Sequence, residues 1–277
     1  MRPAEVVRRA AEYLDRHDVE APLPTAERLL AHVLGTDRAG LYGREDGLSS
    51  AEARTFGRAL CRRCAGTPVQ HLTGDEGFRH VVLQVRPGVF IPRPETEILV
   101  DAALAEIDGL EAPVVVDVGT GTGAIALSLA QEHPGASTWA TDLAPEAVTL
   151  ARENADRLEL DVTVVEGDLL QPLPARLRGH VDLVVSNPPY VTDDVYVTLP
   201  PHVRADPALA LRGGVEIYAR LAAEAGGWLG SGGRIALEIG SDQGPGVSEV
   251  LRAAGFEDVV VRPDLAARDR VVTARWP

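Results

Sequence analysis

The chain has 277 residues, 45% of them hydrophobic, which is enough for one large domain and a small one. Its formal net charge of -14 lacks the basic excess of a general duplex-DNA binder, although residues 1–70 are close to neutral and the negative charge lies in the rest. No apolar run reaches the roughly 18 residues of a transmembrane helix, so we expect no membrane partner. The acidic charge argues against nucleic acid as a partner, and we expect the protein to be a monomer.

Residues 1–66 are predicted to form a small all-helical domain. Apolar residues recur at helical spacing, and the predicted helices cover Val6–Leu14, Pro24–Gly35 and a third stretch that stops near Gly66. Ser49 or Ser50 caps the third helix. The near-neutral charge is that of an ordinary solvated helical surface. Because the region contains no catalytic pattern, we also interpret it as the part that recognises a protein partner.

Cys61 and Cys64 form a Cys-x-x-Cys pair within the third predicted helix. Such a pair can be redox-active or supply half of a zinc site. No second pair of ligands accompanies it, so we interpret both cysteines as ordinary helix residues and predict no metal site. So few cysteines, with no signal peptide, predict a protein of the reducing cytoplasm.

Residues 67–94 are predicted to be a hairpin linker. Val69–Leu72 and Val81–Val85 have the composition of strands and flank the glycines of Gly74–Gly77. The segment Ile91–Glu97 follows, and its two prolines make it rigid. A helix is expected to begin in the last three residues of that segment.

From residue 95 to residue 277, strands and helices alternate. The predicted strands are Val114–Val118, Ser137–Thr141, Val162–Glu166, Val181–Ser186, Arg234–Ile239, Val259–Val261 and Arg270–Ala274. Helices separate the first five strands, although the helix after Glu166 is left open, and the last two strands form an antiparallel pair. This alternation predicts an α/β domain with a doubly wound, mostly parallel sheet, in which ligands bind at the carboxyl ends of the strands.

A glycine-rich loop follows the first of these strands. Its residues are Gly119, Thr120, Gly121, Thr122 and Gly123. Glycines let the backbone turn sharply and approach a ligand, but the pattern alone also fits a dinucleotide. Asp117 favours S-adenosylmethionine, because a carboxylate can engage the cationic methionine end, directly or through water, whereas a pyrophosphate gains nothing from it. Asp142 ends the next strand and can accept both ribose hydroxyls, which either cofactor would use.

Asp168 and Leu169 follow the third predicted strand. The carboxylate of Asp168 is placed to accept a hydrogen bond from an adenine amino group, and Leu169 is placed to form an apolar wall beside the base. An ordinary loop aspartate is the alternative interpretation of Asp168.

The tetrapeptide Asn187-Pro188-Pro189-Tyr190 follows the fourth predicted strand, at the edge where the glycine loop lies. An amide nitrogen is a poor nucleophile because its lone pair is delocalised. The Asn187 side-chain oxygen and the Pro188 carbonyl oxygen can accept its two N–H bonds and aim the nitrogen at a sulfonium methyl. Prolines keep these acceptors in place, and Tyr190 can stack on the planar group. A proline-rich turn, the alternative, does not explain the position beside the glycine loop.

Together these motifs resemble the HemK family, the N5-glutamine methyltransferases of peptide chain release factors. The segments that carry the resemblance are Pro68-Val69-Gln70, Gly74, Phe78, Phe90–Glu97, Asp117–Gly123, Ser186–Tyr190, Pro207–Leu211, Glu238–Gly240 and Gln243. The resemblance implies a Rossmann-like class I methyltransferase domain with seven strands over residues 95–277. It also implies S-adenosylmethionine as cofactor and, as substrate, the glutamine of the Gly-Gly-Gln loop in class-one release factors.

The resemblance assigns individual residues as well. Gly119–Gly123 and Asp142 would bind the cofactor, with Asn187 beside it, and the tetrapeptide would bind the glutamine. Residues lining the entrance would be Arg93, Glu95 and Thr96, although a proline-bounded turn explains Arg93 equally. Two positions depart from the family: His71 stands where Tyr is frequent, and Leu169 where some members have Trp.

Three other functions fit parts of this pattern. A sister enzyme that methylates a glutamine of a large-subunit ribosomal protein would share every catalytic motif. An adenine methyltransferase of nucleic acid would share the tetrapeptide, but the acidic charge and the lack of a recognisable target-recognition domain disfavour it. A non-catalytic cofactor-binding module is disfavoured by the intact tetrapeptide.

Overall fold

The computed structural model describes residues 1–200 and 203–277, which divide into two compact units. The first comprises Met1–Asp75 with the described part of Pro200–Ala205, and the second comprises Glu76–Leu199 with Asp206–Pro277. Among the described residues no helix has the length and apolar character needed to cross a membrane. The division into domains at residues 66 and 94 stays a prediction.

The first unit is helical, as predicted. Its helices are α1 (Pro3–Asp15), α2 (Pro22–Leu34), α3 (Arg38–Gly43), α4 (Ser50–Cys64) and α5 (Val69–Thr73). Their buried faces share a core that includes Leu14, Leu29, Leu30, Leu41 and Phe56. Of the two candidate caps of α4, Ser49 is the cap: its hydroxyl accepts from the Glu52 backbone N–H at 3.2 Å, and the Glu52 carboxylate accepts from the Ser49 N–H at 2.6 Å.

The prediction of a strand at Val69–Leu72 is wrong, because this segment forms α5. Four residues are too few to show a helical or a strand period. Gly74 ends α5 with a φ of 81°, a left-handed conformation that favours glycine. The predicted hairpin is present but displaced along the chain, since β1 (Asp75–Phe78) pairs with β2 (Val81–Gln84).

The second unit contains a seven-stranded sheet of order β5-β4-β3-β6-β7-β9-β8. Its strands are β3 (Val114–Val118), β4 (Ser137–Asp142), β5 (Val162–Glu166), β6 (Val181–Ser186), β7 (Leu229–Glu238), β8 (Glu257–Pro263) and β9 (Asp269–Arg275). The first five are parallel, and β9 pairs antiparallel with both β7 and β8. The predicted doubly wound, mostly parallel sheet of seven strands is therefore confirmed.

Helices cover both faces of this sheet. The described helices of the second unit are α6 (Glu97–Glu106), α7 (Ala124–Glu132), α8 (Pro145–Leu158), α9 (Asp193–Tyr196), α10 (Ala208–Leu211), α11 (Val215–Ala225) and α12 (Gly244–Ala253). Alternate residues of β3 belong to different cores: Val116 packs with Leu221 of α11, and Val115 packs with Leu99 of α6. Burial on both faces explains why the strands consist of nearly continuous apolar runs.

One strand begins well before its predicted start, and the structure resolves one connection that the sequence left open. The strand predicted from Arg234 begins at Leu229, because the glycines of its first half hide the apolar pattern. Between β5 and β6 the described chain has a single 3-10 turn, Ala175–Leu177, and no α-helix, which resolves the connection left open by the sequence. The carboxyl ends of β3, β4, β5 and β6 carry the predicted loop, Asp142, Asp168–Leu169 and the tetrapeptide, whereas Arg93, Glu95 and Thr96 precede α6.

Candidate active site

A cavity of about 870 Å³ lies at the carboxyl ends of the parallel strands. Predicted residues that line it are Thr96, Gly119, Thr120, Gly121, Thr122, Asp142, Asp168, Leu169, Asn187, Pro188, Pro189 and Tyr190. Its walls are mainly apolar, with a few polar groups, which is the usual composition of a small-molecule site. Arg93, Glu95, Asp117 and Gly123 were also predicted, and they are not among the lining residues.

The glycine loop is held by the neighbouring strand β4. The backbone N–H groups of Gly119 and Thr120 both donate to the Thr141 carbonyl, at 2.8 and 3.0 Å. Gly119 and Gly121 have φ values of 76° and 57°, and no atom lies within 4 Å of the position that a Cβ would take. Positive φ therefore requires glycine here, and the open space is available to a ligand.

Asp142 connects the loop to the end of β4. Its Oδ2 accepts from the Gly121 N–H at 2.8 Å, and its Oδ1 accepts from the Ala144 N–H at 2.9 Å. Burial raises the pKa of Asp142, and these backbone hydrogen bonds oppose the rise. Each carboxylate oxygen keeps a further lone pair, so Asp142 fits two ribose hydroxyls while it also holds the loop.

Asp117 lies behind the loop, with no solvent exposure. Its Oδ2 accepts from the Thr120 hydroxyl at 2.6 Å and from the Ala126 N–H at 3.2 Å. Burial raises its pKa to about 7. Its other oxygen, Oδ1, is buried without a hydrogen-bond partner in the described part of the chain. An unpaired carboxylate oxygen beside a glycine loop fits a cationic ligand such as the methionine end of S-adenosylmethionine.

Asp168 and Leu169 lie at the cavity wall, as expected for adenine contacts. Leu169 adopts a left-handed φ of 48° and is 9% exposed. Asp168 already has a partner, because its Oδ2 accepts from Nη2 of Arg220 at 2.6 Å. Arg220 also lines the cavity, and an arginine 52 residues away in the chain gave no signal in the sequence. The adenine role of Asp168 stays a prediction.

The tetrapeptide and the glycine loop leave the sheet side by side. β3 and β6 are parallel neighbours in which Val118 pairs with Ser186, and the Ser186 hydroxyl donates to the Val118 carbonyl at 2.6 Å. The residues after these two begin the loop and the tetrapeptide. Gly213 lies against the other side of the tetrapeptide, where a Cβ would collide with the Pro189 carbonyl oxygen. Two neighbours therefore constrain the backbone of the tetrapeptide.

Asn187 lines the cavity and has a partner for its side-chain nitrogen only. Its Nδ2 donates to the Thr96 hydroxyl at 3.1 Å, whereas its Oδ1 has no donor among the described residues. The Pro188 carbonyl likewise accepts no hydrogen bond within the described chain. The structure thus brings together the two acceptors predicted for a planar NH2 group, both without a competing donor.

Glu238, at the end of β7, lies behind these residues and is 2% exposed. Its Oε1 accepts from the Tyr190 hydroxyl at 3.4 Å. Burial raises the pKa of Glu238 to about 7, and the nearby Thr96 hydroxyl and the positive charge of Arg270 oppose the rise. Its other oxygen, Oε2, is buried without a hydrogen-bond partner in the described part of the chain. Burial also raises the pKa of Tyr190, so this phenol stays protonated at neutral pH.

Gln243 holds the last residue of the tetrapeptide. Its Nε2 donates to the Tyr190 carbonyl at 3.2 Å, and its Oε1 accepts from the Gly240 N–H at 2.9 Å. The fully buried Tyr218 donates its hydroxyl hydrogen to the Glu238 carbonyl at 3.0 Å. Glu238 and Gln243 carried part of the family resemblance, but their contacts with the tetrapeptide were not predicted.

Arg93 and Glu95 belong to the proline-rich segment before α6. Arg93 pairs with the buried carboxylate of Asp206, which also accepts from the Ile91 N–H at 3.2 Å. Burial raises the pKa of Asp206 to about 6, and Arg93 opposes the rise. The Arg93 guanidinium lies 5.1 Å from the centre of the Phe90 ring, and Phe90 lines the cavity. This ion pair supports the cavity wall, and substrate contacts of Arg93 and Glu95 stay predictions.

Comparison with known proteins shows to which family the chain is similar. The domain described as "Methyltransferase small domain" matches residues 83–205, and the domain described as "PrmC N-terminal domain" matches residues 5–74. A protein of Moorella thermoacetica named "Release factor glutamine methyltransferase" is 44% identical, over 98% of this chain and 95% of that protein. A protein of the same name from Deinococcus radiodurans is 44% identical, over 99% of each chain.

Solved structures agree on the fold. A methyltransferase from Pyrococcus furiosus is similar with a TM-score of 0.51 at 17% identity, covering 70% of this chain and 87% of that one. At this identity the likeness supports the α/β fold alone. The methyltransferase family to which these matches belong establishes S-adenosylmethionine as the cofactor.

Proposed function

Since the chain belongs to the family of the release factor glutamine methyltransferases, we propose that it methylates the side-chain amide nitrogen of a release-factor glutamine, specifically the glutamine of a Gly-Gly-Gln motif. The observation that carries this proposal is the pair of unpartnered acceptors, Asn187 Oδ1 and the Pro188 carbonyl, in the cavity beside the glycine loop. Two acceptors match the two hydrogens of a primary amide.

The acceptors would act by orientation and electrostatics. Asn187 Oδ1 and the Pro188 carbonyl hold the two N–H hydrogens, so the nitrogen faces the methyl donor with its lone pair. Positive charge develops on the nitrogen during transfer, and the partial negative charges of both oxygens stabilise it. Orientation alone accounts for up to about 7–11 kcal/mol of a barrier in well-aligned systems. Tyr190 supplies an aromatic face for the planar amide.

The cofactor side of the cavity has its own residues. S-adenosylmethionine, when bound, supplies an electrophilic methyl on a sulfonium. The open surface of the loop Gly119–Gly123 would let it approach the backbone, Asp142 would accept the ribose hydroxyls, and Asp117, behind the loop, would attract the ammonium at a distance or through water. The apolar Leu169 would contact the adenine.

The helical unit would recognise the protein substrate. Residues 5–74 match a domain characteristic of this family, and the sequence up to residue 66 has no catalytic pattern. Among the described residues, those that line the cavity all belong to the second unit. We infer that it confers selectivity for a class-one release factor and that the enzyme acts as a monomer without nucleic acid.

Tandem mass spectrometry of the substrate after incubation with S-adenosylmethionine tests the proposal. A release factor, a large-subunit ribosomal protein and duplex DNA would be offered together. We expect one methyl on the side-chain amide of the Gly-Gly-Gln glutamine. A release factor in which that glutamine is replaced by Asn is the control, because its amide falls about one methylene short and a misplacement near 1 Å costs about 10²-fold. Methyl on a competitor and none on the glutamine would contradict the proposal.

A further inference from the structure

The order of the strands sets the order of the residues along the cavity. β5, β4, β3 and β6 lie side by side, and their carboxyl ends lead to Asp168–Leu169, Asp142, the glycine loop and the tetrapeptide in that order. Adjacent strands lie about 4.8 Å apart, so these four ends span roughly 14 Å. With its ribose at Asp142 and its methyl toward the tetrapeptide, S-adenosylmethionine would have its adenine at the β5 end, beside Asp168 and Leu169.

An arginine from a distant helix lies at the β5 end of the cavity. Arg220 of α11 donates from Nη2 to Asp168 Oδ2 at 2.6 Å, and both residues line the cavity. About one helical turn later, Glu224 Oε1 accepts from Gln171 Nε2 at 3.2 Å, so two contacts join α11 to the segment after β5. The side chains of Arg220 and Asp168 are 51% and 40% exposed, and ion pairs with such exposure contribute little to folding. Stability alone therefore gives little reason for the pair.

The pair leaves one acceptor and several donors unused. Asp168 Oδ1 receives no hydrogen bond from the described part of the chain, and Arg220 has no side-chain acceptor there other than Asp168 Oδ2. An ionised carboxylate only accepts hydrogen bonds, and a guanidinium only donates them. The pair thus presents an acceptor next to a donor at the cavity wall.

Adenine has the complementary pattern. Its amino group donates, and the ring nitrogens on either side of that group, N1 and N7, accept. In hypoxanthine an oxygen replaces the amino group, so two acceptors, this oxygen and the carboxylate, would face each other. Leu169 offers apolar contacts that are alike for both bases, and such contacts distinguish them poorly.

We propose that Arg220 is a specificity-determining residue for the cofactor: with Asp168 it forms a pair that accepts a hydrogen bond from the adenine amino group and donates one to a neighbouring ring nitrogen. Arg220 also positions Asp168, because its bond to Oδ2 leaves Oδ1 for the base. The inference rests on the cofactor side of the proposed function and extends it to a residue that no sequence motif indicated. The pair would select adenine nucleosides over those of hypoxanthine.

Calorimetry with S-adenosylhomocysteine and S-inosylhomocysteine tests this selection without turnover. The parent should bind the adenosyl compound at least about tenfold more tightly. Arg220→Met removes the guanidinium and keeps an unbranched side chain. It should reduce the affinity ratio by at least about fivefold, mainly through weaker binding of the adenosyl compound.

Arg212→Met is the matched control for Arg220→Met. Arg212 also lines the cavity and pairs with a carboxylate, that of Asp193, at 2.8 Å. Its substitution should leave the affinity ratio within about twofold of the parent's, because an exposed pair away from the base contributes little. A ratio in Arg220→Met equal to that in Arg212→Met would overturn the proposal.

Asp168→Asn tests the acceptor of the pair. An amide can donate to the hypoxanthine oxygen, so the two compounds should bind this variant with affinities within about threefold of each other. Arg220→Met should weaken adenosyl binding less in the Asp168→Asn background than in the parent, because the two residues act together. Fully additive effects would contradict the pairing.

Deaza analogues of S-adenosylhomocysteine test the donor of the pair. One analogue has carbon in place of N1 and the other has carbon in place of N7, so each lacks one acceptor. One of them should bind the parent at least about fivefold more weakly than S-adenosylhomocysteine, and Arg220→Met should remove that difference. Equal binding of all three compounds by the parent would contradict the donor role. A parent that binds no S-adenosylhomocysteine would contradict the proposed function itself, whereas binding without preference for adenine would contradict only this inference.

Discussion

The glycine loop and the tetrapeptide lie side by side at one sheet edge, but they are built differently. The loop depends on its own glycines and on the adjacent end of β4, at Thr141 and Asp142. The tetrapeptide is held by side chains and backbone from remote segments, contributed by Thr96, Gly213, Glu238 and Gln243. The comparison shows that a loop surface made of backbone can be encoded locally, whereas the orientation of side chains in the cavity requires tertiary contacts.

Removing the Asn187 side chain should separate the two regions most clearly. Asn187→Ala deletes one of the two acceptors, and loss of one preorganised partner costs about 10²–10³ in rate. The glycine loop and Asp142 are untouched, so the cofactor Kd should change little. Single-turnover kinetics and calorimetry measure the two effects. If the affinity for the cofactor falls as much as the methylation rate, the glycine loop and the tetrapeptide do not have separate roles in binding and catalysis.

The pH dependence of stability should reveal the buried carboxylate behind the tetrapeptide. Burial raises the pKa of Glu238 from 4.5 to about 7, so the folded state holds its proton more tightly than the unfolded chain does. The resulting stabilisation is complete below pH 4.5 and is lost as the pH rises to 7. We therefore compare the free energy of unfolding of the parent with that of the Glu238→Gln variant. The parent's advantage should shrink by about 3 kcal/mol as the pH rises from 4.5 to 7.

Urea unfolding at several pH values measures this difference. Glu95→Gln, an exposed position near Glu238, is the matched control for the loss of one negative charge. A difference that is flat with pH would mean that Glu238 does not titrate in this range in the folded protein.

A methyl group at Gly213 should disturb the tetrapeptide from its outer side. Gly213→Ala places a Cβ against the Pro189 carbonyl oxygen, and the tetrapeptide must shift to relieve the contact. A displacement near 1 Å costs about 10²-fold in rate. Gly246→Ala is the matched control, because no atom lies within 4 Å of its Cβ position. Equal turnover in the two variants would show that the tetrapeptide tolerates movement.

The smallest change is expected on the cofactor side. Asp142→Ala removes the predicted ribose acceptor and the partner of the Gly121 N–H, and should weaken S-adenosylmethionine binding by about 1.5–3 kcal/mol. Turnover at saturating cofactor should change little, which is the reverse of the result for Asn187→Ala. Calorimetry measures the affinity, and an unchanged Kd would exclude Asp142 from the cofactor site.

The sequence predictions were accurate where the determining interactions lie within a few residues of each other along the chain. The parallel strands, the glycine loop and the tetrapeptide were predicted because each has a signal within a few residues. Val69–Leu72 was assigned the wrong element because four residues carry no clear period. The six residues of α3 and the glycine-rich start of β7 were missed for similar reasons.

The sequence by itself determined the α/β class, the order of the motifs along the parallel strands, and most of the residues that line the cavity. Only the tertiary structure decided that Thr96 lies behind Asn187, 91 residues away, that Arg220 pairs with Asp168, and that Asp117 is withdrawn from the cavity. The physical reason is that backbone conformation depends on neighbouring residues, whereas the hydrogen-bond partners of a buried side chain come from whichever segments the fold brings together.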